Sequence, residues 1–254
     1  MSDSNRYANS RYGAGLARAG VVDEGLRAYM IGVYNYMTLG LGVTGLVAYG
    51  AFALGTVQTG NGRLGLTDFG HAIYASPLRW LIVLSPLALV FYLSARINTM
   101  SVASARNAFI AFAALIGLSM SALLVVYTGA SVGRAFFATA AAFASLSLYG
   151  YTTQRDLSGM GSFLMMGVVG LVIASLINLF LQSTGLQFAL SVICVLVFAG
   201  LTAWDTQSIK NGYFAGDSYE LVQKKSIHGA LRLYLDFINM FQAILMLTGS
   251  SRNN

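Results

Sequence analysis

Seven mostly apolar stretches, each close to the length that crosses a bilayer, constrain this chain more than any other feature of its sequence. A helix needs about 20 apolar residues to traverse the hydrocarbon core. Leu26–Ala51, Leu78–Ala95, Ala105–Tyr127, Val132–Thr152, Met160–Leu181, Phe188–Ile209 and Gly229–Leu247 meet or nearly meet that length. The breaks between them hold turn formers or charges, as in Thr59-Gly60-Asn61-Gly62, Gln154-Arg155-Asp156, Ser183-Thr184-Gly185 and the polar segment from Lys210 to His228. The spacing predicts an all-α integral membrane protein of seven transmembrane helices over residues 25–248. A polar tail at 1–24 precedes it and a short C-terminal tail at 249–254 follows. Pro86 lies inside the second span and is expected to kink it, with neighbouring helices satisfying the freed carbonyl. No internal repeat is visible, so an inverted-repeat transporter finds no support.

Composition agrees. The 254 residues are 56% hydrophobic and 9% charged, against about 25% charged in soluble domains. A surface so poor in charge suits lipid rather than water. The net charge of +6 rests on 15 scattered Lys and Arg, with no basic patch of interleaved aromatics, so nucleic acid is not an expected partner. The single Cys194 excludes a disulfide framework and any cysteine-based metal site, and reads as an inert lipid- or core-facing thiol. The tail lacks the apolar core of a secretory signal, and Asp3, Asp23 and Glu24 count against a transit peptide. The ten methionines read as packing filler, the glycines (Gly161, Gly167 and Gly170 among them) as close-packing positions, and His71 as an exposed loop residue.

Basic residues predict orientation. With the tail inside, the inner segments carry Arg6, Arg11, Arg18, Arg27, Arg96, Arg106, Arg155, Lys210, Lys224 and Lys225. The outer ones carry Arg63, Arg79, Arg134 and Arg252. That bias places the N-terminus in the cytoplasm and, after seven spans, the C-terminus on the far side.

The seventh span is the least apolar, for a specific reason. His228, Arg232, Asp236, Asn239 and Gln242 recur at intervals of three and four, within an arc of about 120° on one helical face. Such a helix either lies on the membrane surface or turns its polar face toward the interior of a bundle. Of the nine acidic residues, only Asp205 and Asp236 fall within apolar stretches. An Asp at bilayer depth costs at least ~2.5 kcal/mol, which marks such residues as candidate functional groups. From the span ends, Asp205 lies about 6 Å and Asp236 about 10 Å from the cytoplasmic side, nearly one level. Two carboxylates sharing a low-dielectric site cannot both ionise cheaply, so the pair is expected to share a proton. The dipole at the C-terminal end of span six favours Asp205 as its holder. The competing assignments are structural: Asp205 beside Lys210 at the interface, and Asp236 neutralised by Arg232 one turn away.

The residues around these aspartates resemble a known family. Ala203-Trp204-Asp205-Thr206-Gln207 and Leu233-Tyr234-Leu235-Asp236-Phe237-Ile238-Asn239 are similar to the paired signatures of the Bax-inhibitor (transmembrane Bax-inhibitor motif) family, bacterial type. The segment Thr152-Thr153-Gln154-Arg155-Asp156-Leu157-Ser158, followed by Gly161-Ser162-Phe163-Leu164, resembles that family's junction between spans four and five. The likeness is specific over residues 150–245 and rests on span count before that; Trp204 replaces the usual Tyr or Phe. It implies six helices around the amphipathic seventh and a pH-sensitive calcium leak in which Asp205 and Asp236 sense protons. It also implies an arginine latch at the cytoplasmic end of span two, for which Arg96 is the positional candidate and Arg106 a substitute.

Calcium prefers six to eight oxygen ligands. Asp205 and Asp236, with Asn239 and Thr206, offer only a weak, transient calcium site, which is what conduction requires. Arg232, Asn239, Gln242 and Thr206 are the expected pore-lining residues. No cofactor is implied. The aspartate pair superficially suggests a protease, but the Gly-aromatic-Gly-Asp context is absent, so no enzymatic activity is expected. The expected partners are the lipid bilayer, calcium ions and protons, in a bacterial inner membrane. The alternative function is a non-conducting regulator of a membrane partner such as a quality-control protease, acting through the polar tail.

Overall fold

A computed structural model describes residues 24–59, 64–97 and 99–252. The polar tail at 1–24 lies outside them apart from Glu24, as do the tip of the first break and Asn253-Asn254. Among the described residues seven helices are long and apolar enough to cross a membrane. They are α1 (Glu24–Gly55), α3 (Leu78–Arg96), α4 (Val102–Val126), α5 (Gly129–Thr152), α6 (Ser158–Leu181), α7 (Thr184–Asn211) and α8 (Tyr219–Thr248). Between α1 and α3 the chain forms a small antiparallel hairpin, β1 (Thr56–Gln58) with β2 (Leu64–Leu66), then the single turn α2 (Asp68–Gly70) and a π-helical turn, His71–Ala75. His71, expected in a loop, sits in that turn and is exposed. The chain is an all-α, multi-pass membrane protein.

The helix starts follow from local chemistry. The first amides of a helix have no intrahelical acceptor. Ser101, Thr128, Ser183 and Ser218 supply one, their hydroxyls accepting from Ser104, Ser131, Leu186 and Leu221 at 3.2, 3.3, 3.2 and 3.3 Å. Between α6 and α7 the turn passes through Gln182 in the left-handed region, φ 49°. Asn178 holds that turn, accepting from Ser183 N (3.1 Å) and donating to Gln187 Oε1 (3.1 Å).

The expected spans are all present, and the largest correction concerns the last. The polar segment Lys210–His228 is a loop only over residues 212–218: α7 runs to Asn211 and α8 begins at Tyr219. Hydropathy misses these turns because their stability comes from caps and ion pairs. Lys224 pairs with Glu220 at 2.9 Å, Lys225 bridges Asp217 (2.5 Å) and the Gly212 carbonyl (2.9 Å), and Tyr36 of α1 donates to Gln223 (3.1 Å).

The interior is apolar, and so is much of the outer surface, unlike that of a soluble protein. Large apolar side chains on α3 and α6 face outward, among them Leu81, Phe163 and Phe180. The buried residues concentrate on α8, where Tyr234 sits fully enclosed between Phe109 and Phe112, edge to face at 5.9 and 5.8 Å. The principal partners of α8 are α1, α4, α5 and α7, while α3 packs mainly on α4 and α6 on α7. Among the described spans the amphipathic helix has the largest buried share, and it packs on four of the others.

Candidate functional site

The last turns of α7 are fixed by two glycines. A Cβ on Gly150 of α5 would lie 2.1 Å from the Ala203 carbonyl oxygen, and one on Gly161 of α6 would lie 2.1 Å from the Trp204 ring. Only glycine permits these approaches. Of the other two glycines expected at helix contacts, Gly167 meets Val197, whereas Gly170 faces open space. Gln207 adds a polar anchor to the α5–α6 turn, accepting from Leu157 N (2.9 Å) and donating to the Arg155 carbonyl (2.7 Å).

This scaffold presents Trp204 and Asp205 to α8. The Arg232 guanidinium lies over the Trp204 ring, 5.1 Å from its centroid, and clamps Asp205 through both carboxylate oxygens. Its Nε donates to Oδ2 at 3.2 Å, its Nη2 donates to Oδ1, and its Nη1 donates to Ser208 Oγ at 3.3 Å. Asp205 and Asp236 are both buried, 5% and 4% exposed, and close enough to interact electrostatically. One oxygen of Asp236 has no partner among the described residues, nor has the buried Nδ1 of His228, one turn before Arg232.

Several expected pairings are corrected. Arg232 engages Asp205 across the helix interface, not Asp236 on its own helix. Lys210 does not reach Asp205; it donates to the Tyr151 carbonyl (2.7 Å) and lies over that ring. Arg96 is exposed at the end of α3 and makes no ion pair among the described residues, and neither does Arg106. α3 packs mainly on α4, and the cation paired with Asp205 is Arg232. Nor does an end dipole single out Asp205 as the proton holder. Asp205 lies about 9 Å before the end of α7 and Asp236 about 25 Å from the start of α8, both beyond the turn over which such a dipole acts, and the guanidinium sits on Asp205.

The remaining candidates divide between two surfaces. Thr206 faces α5: it donates to the Thr202 carbonyl (2.8 Å) and bonds Ser147 Oγ (3.0 Å), which in turn bonds Tyr34 OH of α1 (2.6 Å). Asn239 and Gln242 continue the polar face of α8 past Asp236 and line a cleft of about 620 Å³ between α6, α7 and α8, with Gln187, Ser191 and Cys194. On the other side of the aspartates, Tyr29, Ser208, Lys224, Lys225, His228 and Arg232 line a cavity of about 170 Å³. No group of three or more His, Cys, Asp or Glu side chains converges on a metal-binding geometry among the described residues. Sequence reasoning missed the roles of Gln207, Ser147 and Tyr34, whose only signal was a polar residue inside an apolar run.

A profile of the family described as "Inhibitor of apoptosis-promoting Bax1" matches residues 26–253. Among similar proteins, the uncharacterized protein RP147 of Rickettsia prowazekii (strain Madrid E) is 42% identical over 91% of this chain and 93% of its own length. An uncharacterized protein of Caulobacter vibrioides is 41% identical over 99% of this chain and 100% of its own. The Escherichia coli (strain K12) inner membrane protein YbhL is 42% identical over 90% and 94%. With one such match spanning every described helix and relatives that align nearly end to end, the chain belongs to the Bax inhibitor family of membrane proteins.

Proposed function

We propose that this protein is a pH-sensitive cation leak, with calcium as its cargo, whose pathway follows the polar face of α8 past the Asp205–Asp236 pair. The supporting observation is the pair itself: two buried carboxyl groups close enough to interact electrostatically, held against one guanidinium, with a cavity on either side along the same helix. One cation facing two carboxyls gives a neutral cluster only when one proton is present. Arg232 occupies Asp205, so the proton resides on Asp236. In this state Arg232 plugs the route between the two cavities. Passing calcium meets two carboxylates, and the carboxamides of Asn239 and Gln242 lie further along the cleft. That is too few oxygens for tight retention, as transit demands.

The role is transport, not catalysis, in a bacterial inner membrane as the name of the E. coli relative suggests, with the N-terminal tail cytoplasmic. The alternative reading, regulation of a membrane protease, rests on a tail outside the described residues, and no observation favours it.

Calcium flux into proteoliposomes across a pH series tests the proposal. Flux is expected to fall as pH drops, because protonated carboxyls leave Arg232 unopposed and the cluster repels cations. Asp236→Asn is expected to hold flux at least ~tenfold low and flat with pH, the effect of about 1.4 kcal/mol on a barrier. Unchanged rate and pH profile in both Asp205→Asn and Asp236→Asn would sink the reading.

A further inference from the structure

A third cleft, of about 400 Å³, lies between α1, α4, α5 and α8 at the end of the bundle where the C-terminus folds back. It differs in kind from the cleft that holds Gln242. There a carboxamide makes no hydrogen bond to any described residue, so the space demands water or another polar occupant. Here the enclosed polar side chain in the lining is Thr44, and its hydroxyl is already bonded to the Gly40 carbonyl (2.9 Å), the Ala113 carbonyl (2.9 Å) and Tyr234 OH (2.6 Å). The other polar group, the phenol of Tyr49, is exposed, so nothing in the interior of the cleft asks for a polar ligand. Its floor is Phe237, Ile238 and Phe241 of α8, and α1 and α5 do not form a packed pair across it. It is open between them, with exposed Tyr49 and Phe136 at the rim.

Glycines shape the opening. Gly45, Gly129 and Gly133 line the cleft, and a Cβ on any of them would meet nothing within 4 Å. Glycines in membrane helices ordinarily let two backbones touch; these face open space instead. At the outer end of the cleft stand two arginines. Arg252 donates to the carbonyls of Leu124 (2.9 Å) and Tyr127 (3.2 Å) and lies over Phe52, one turn beyond Ala48 and Tyr49 of the lining. Arg134 is exposed beside Gly133 and, among the described residues, bonds only Ala130 O and Ser131 Oγ. Neither pairs with an acidic residue among the described residues.

We propose that this cleft is a binding site for an anionic phospholipid, with one acyl chain between α1 and α5 against Phe237 and Phe241 and the phosphate group on Arg134 and Arg252. The lining matches the chain and the rim matches the headgroup. A lipid so placed would touch the residues next to Asp236, on the face of α8 away from Arg232.

The test is lipid retention by the purified full-length protein, measured by native mass spectrometry after adding phosphatidylglycerol or phosphatidylcholine. The wild type is expected to keep one tightly held phosphatidylglycerol. Gly45→Leu with Gly133→Leu should lower retention of both lipids more than about tenfold, since each buried methylene contributes about fourfold. Arg134→Gln with Arg252→Gln should keep acyl binding but lose the anionic preference by about fivefold per arginine. Circular dichroism and calcium flux of each variant separate loss of the site from misfolding. Equal retention by the leucine variant, equal affinity for the two lipids in the wild type, or a cleft closed by a second copy of the chain in cross-linking would each overturn the proposal.

Discussion

Arg232 reaches Asp205 because a long guanidinium-bearing side chain on α8 can span the interface, and because Trp204 supplies a flat surface for it to lie on. Spacing within the helix argues for Asp236 as its partner, four residues on, but helix rotation turns the chain toward α7. Removing the guanidinium while leaving both carboxyls strands a buried acid. Arg232→Gln is therefore expected to lower stability in detergent by about 3 kcal/mol, read from thermal or denaturant unfolding. Adding Asp205→Asn should recover most of that loss, since it removes the stranded charge. A double variant no more stable than the single one would show that Arg232 acts through Trp204 packing, not through charge. At this scale the sequence made the two acids legible, by depth and apolar surroundings, but not their counter-ion.

At the scale of the elements, helix ends carry the clearest physics. Asp156 lies in the turn before α6 and accepts from the Ser158 amide at 2.9 Å. That hydrogen-bonding to Ser158 holds its carboxyl below the ordinary carboxylate range. A depressed folded-state value means the contribution is complete above the unfolded value and is lost only as pH falls through the folded one. Asp156→Ala is thus expected to speed amide exchange over the first turn of α6 at neutral pH and to match wild type in strong acid. A difference that persists at low pH would assign the effect to the turn's shape instead. The early start of α8 belongs to the same scale. Its first turns are too polar for a hydropathy reading, yet Ser218 caps them and Glu220, Lys224 and Lys225 tie them down.

For the whole molecule, the distribution of Lys and Arg predicts a cytoplasmic N-terminus and a C-terminus across the membrane. Single cysteines introduced at Ser10 and Ser251 of a Cys194→Ala background are expected to react with an impermeant maleimide from opposite faces of sealed vesicles. Labelling from the same face would refute seven crossings. The apolar outer surface explains why the fold was legible as a set of spans: the helices expose apolar residues as well as burying them, so each is recognisable alone. Packing leaves a weaker trace, because in lipid it is driven by close fit rather than by apolar burial. Gly150 and Gly161, which seat α7 on α5 and α6, look no different in sequence from Gly170, where an added Cβ would meet nothing within 4 Å.

The number of spans, the two acidic residues inside them and the polar face of α8 could be read from residue type and local period alone. That Arg232 pairs with Asp205, that Thr206 turns to Ser147, and that one cleft is apolar and another polar came only from the packed fold. Those outcomes depend on how each helix is rotated and on which neighbour it packs against. Rotation and neighbour are set by contacts between segments far apart in the chain, and no single stretch of sequence contains them.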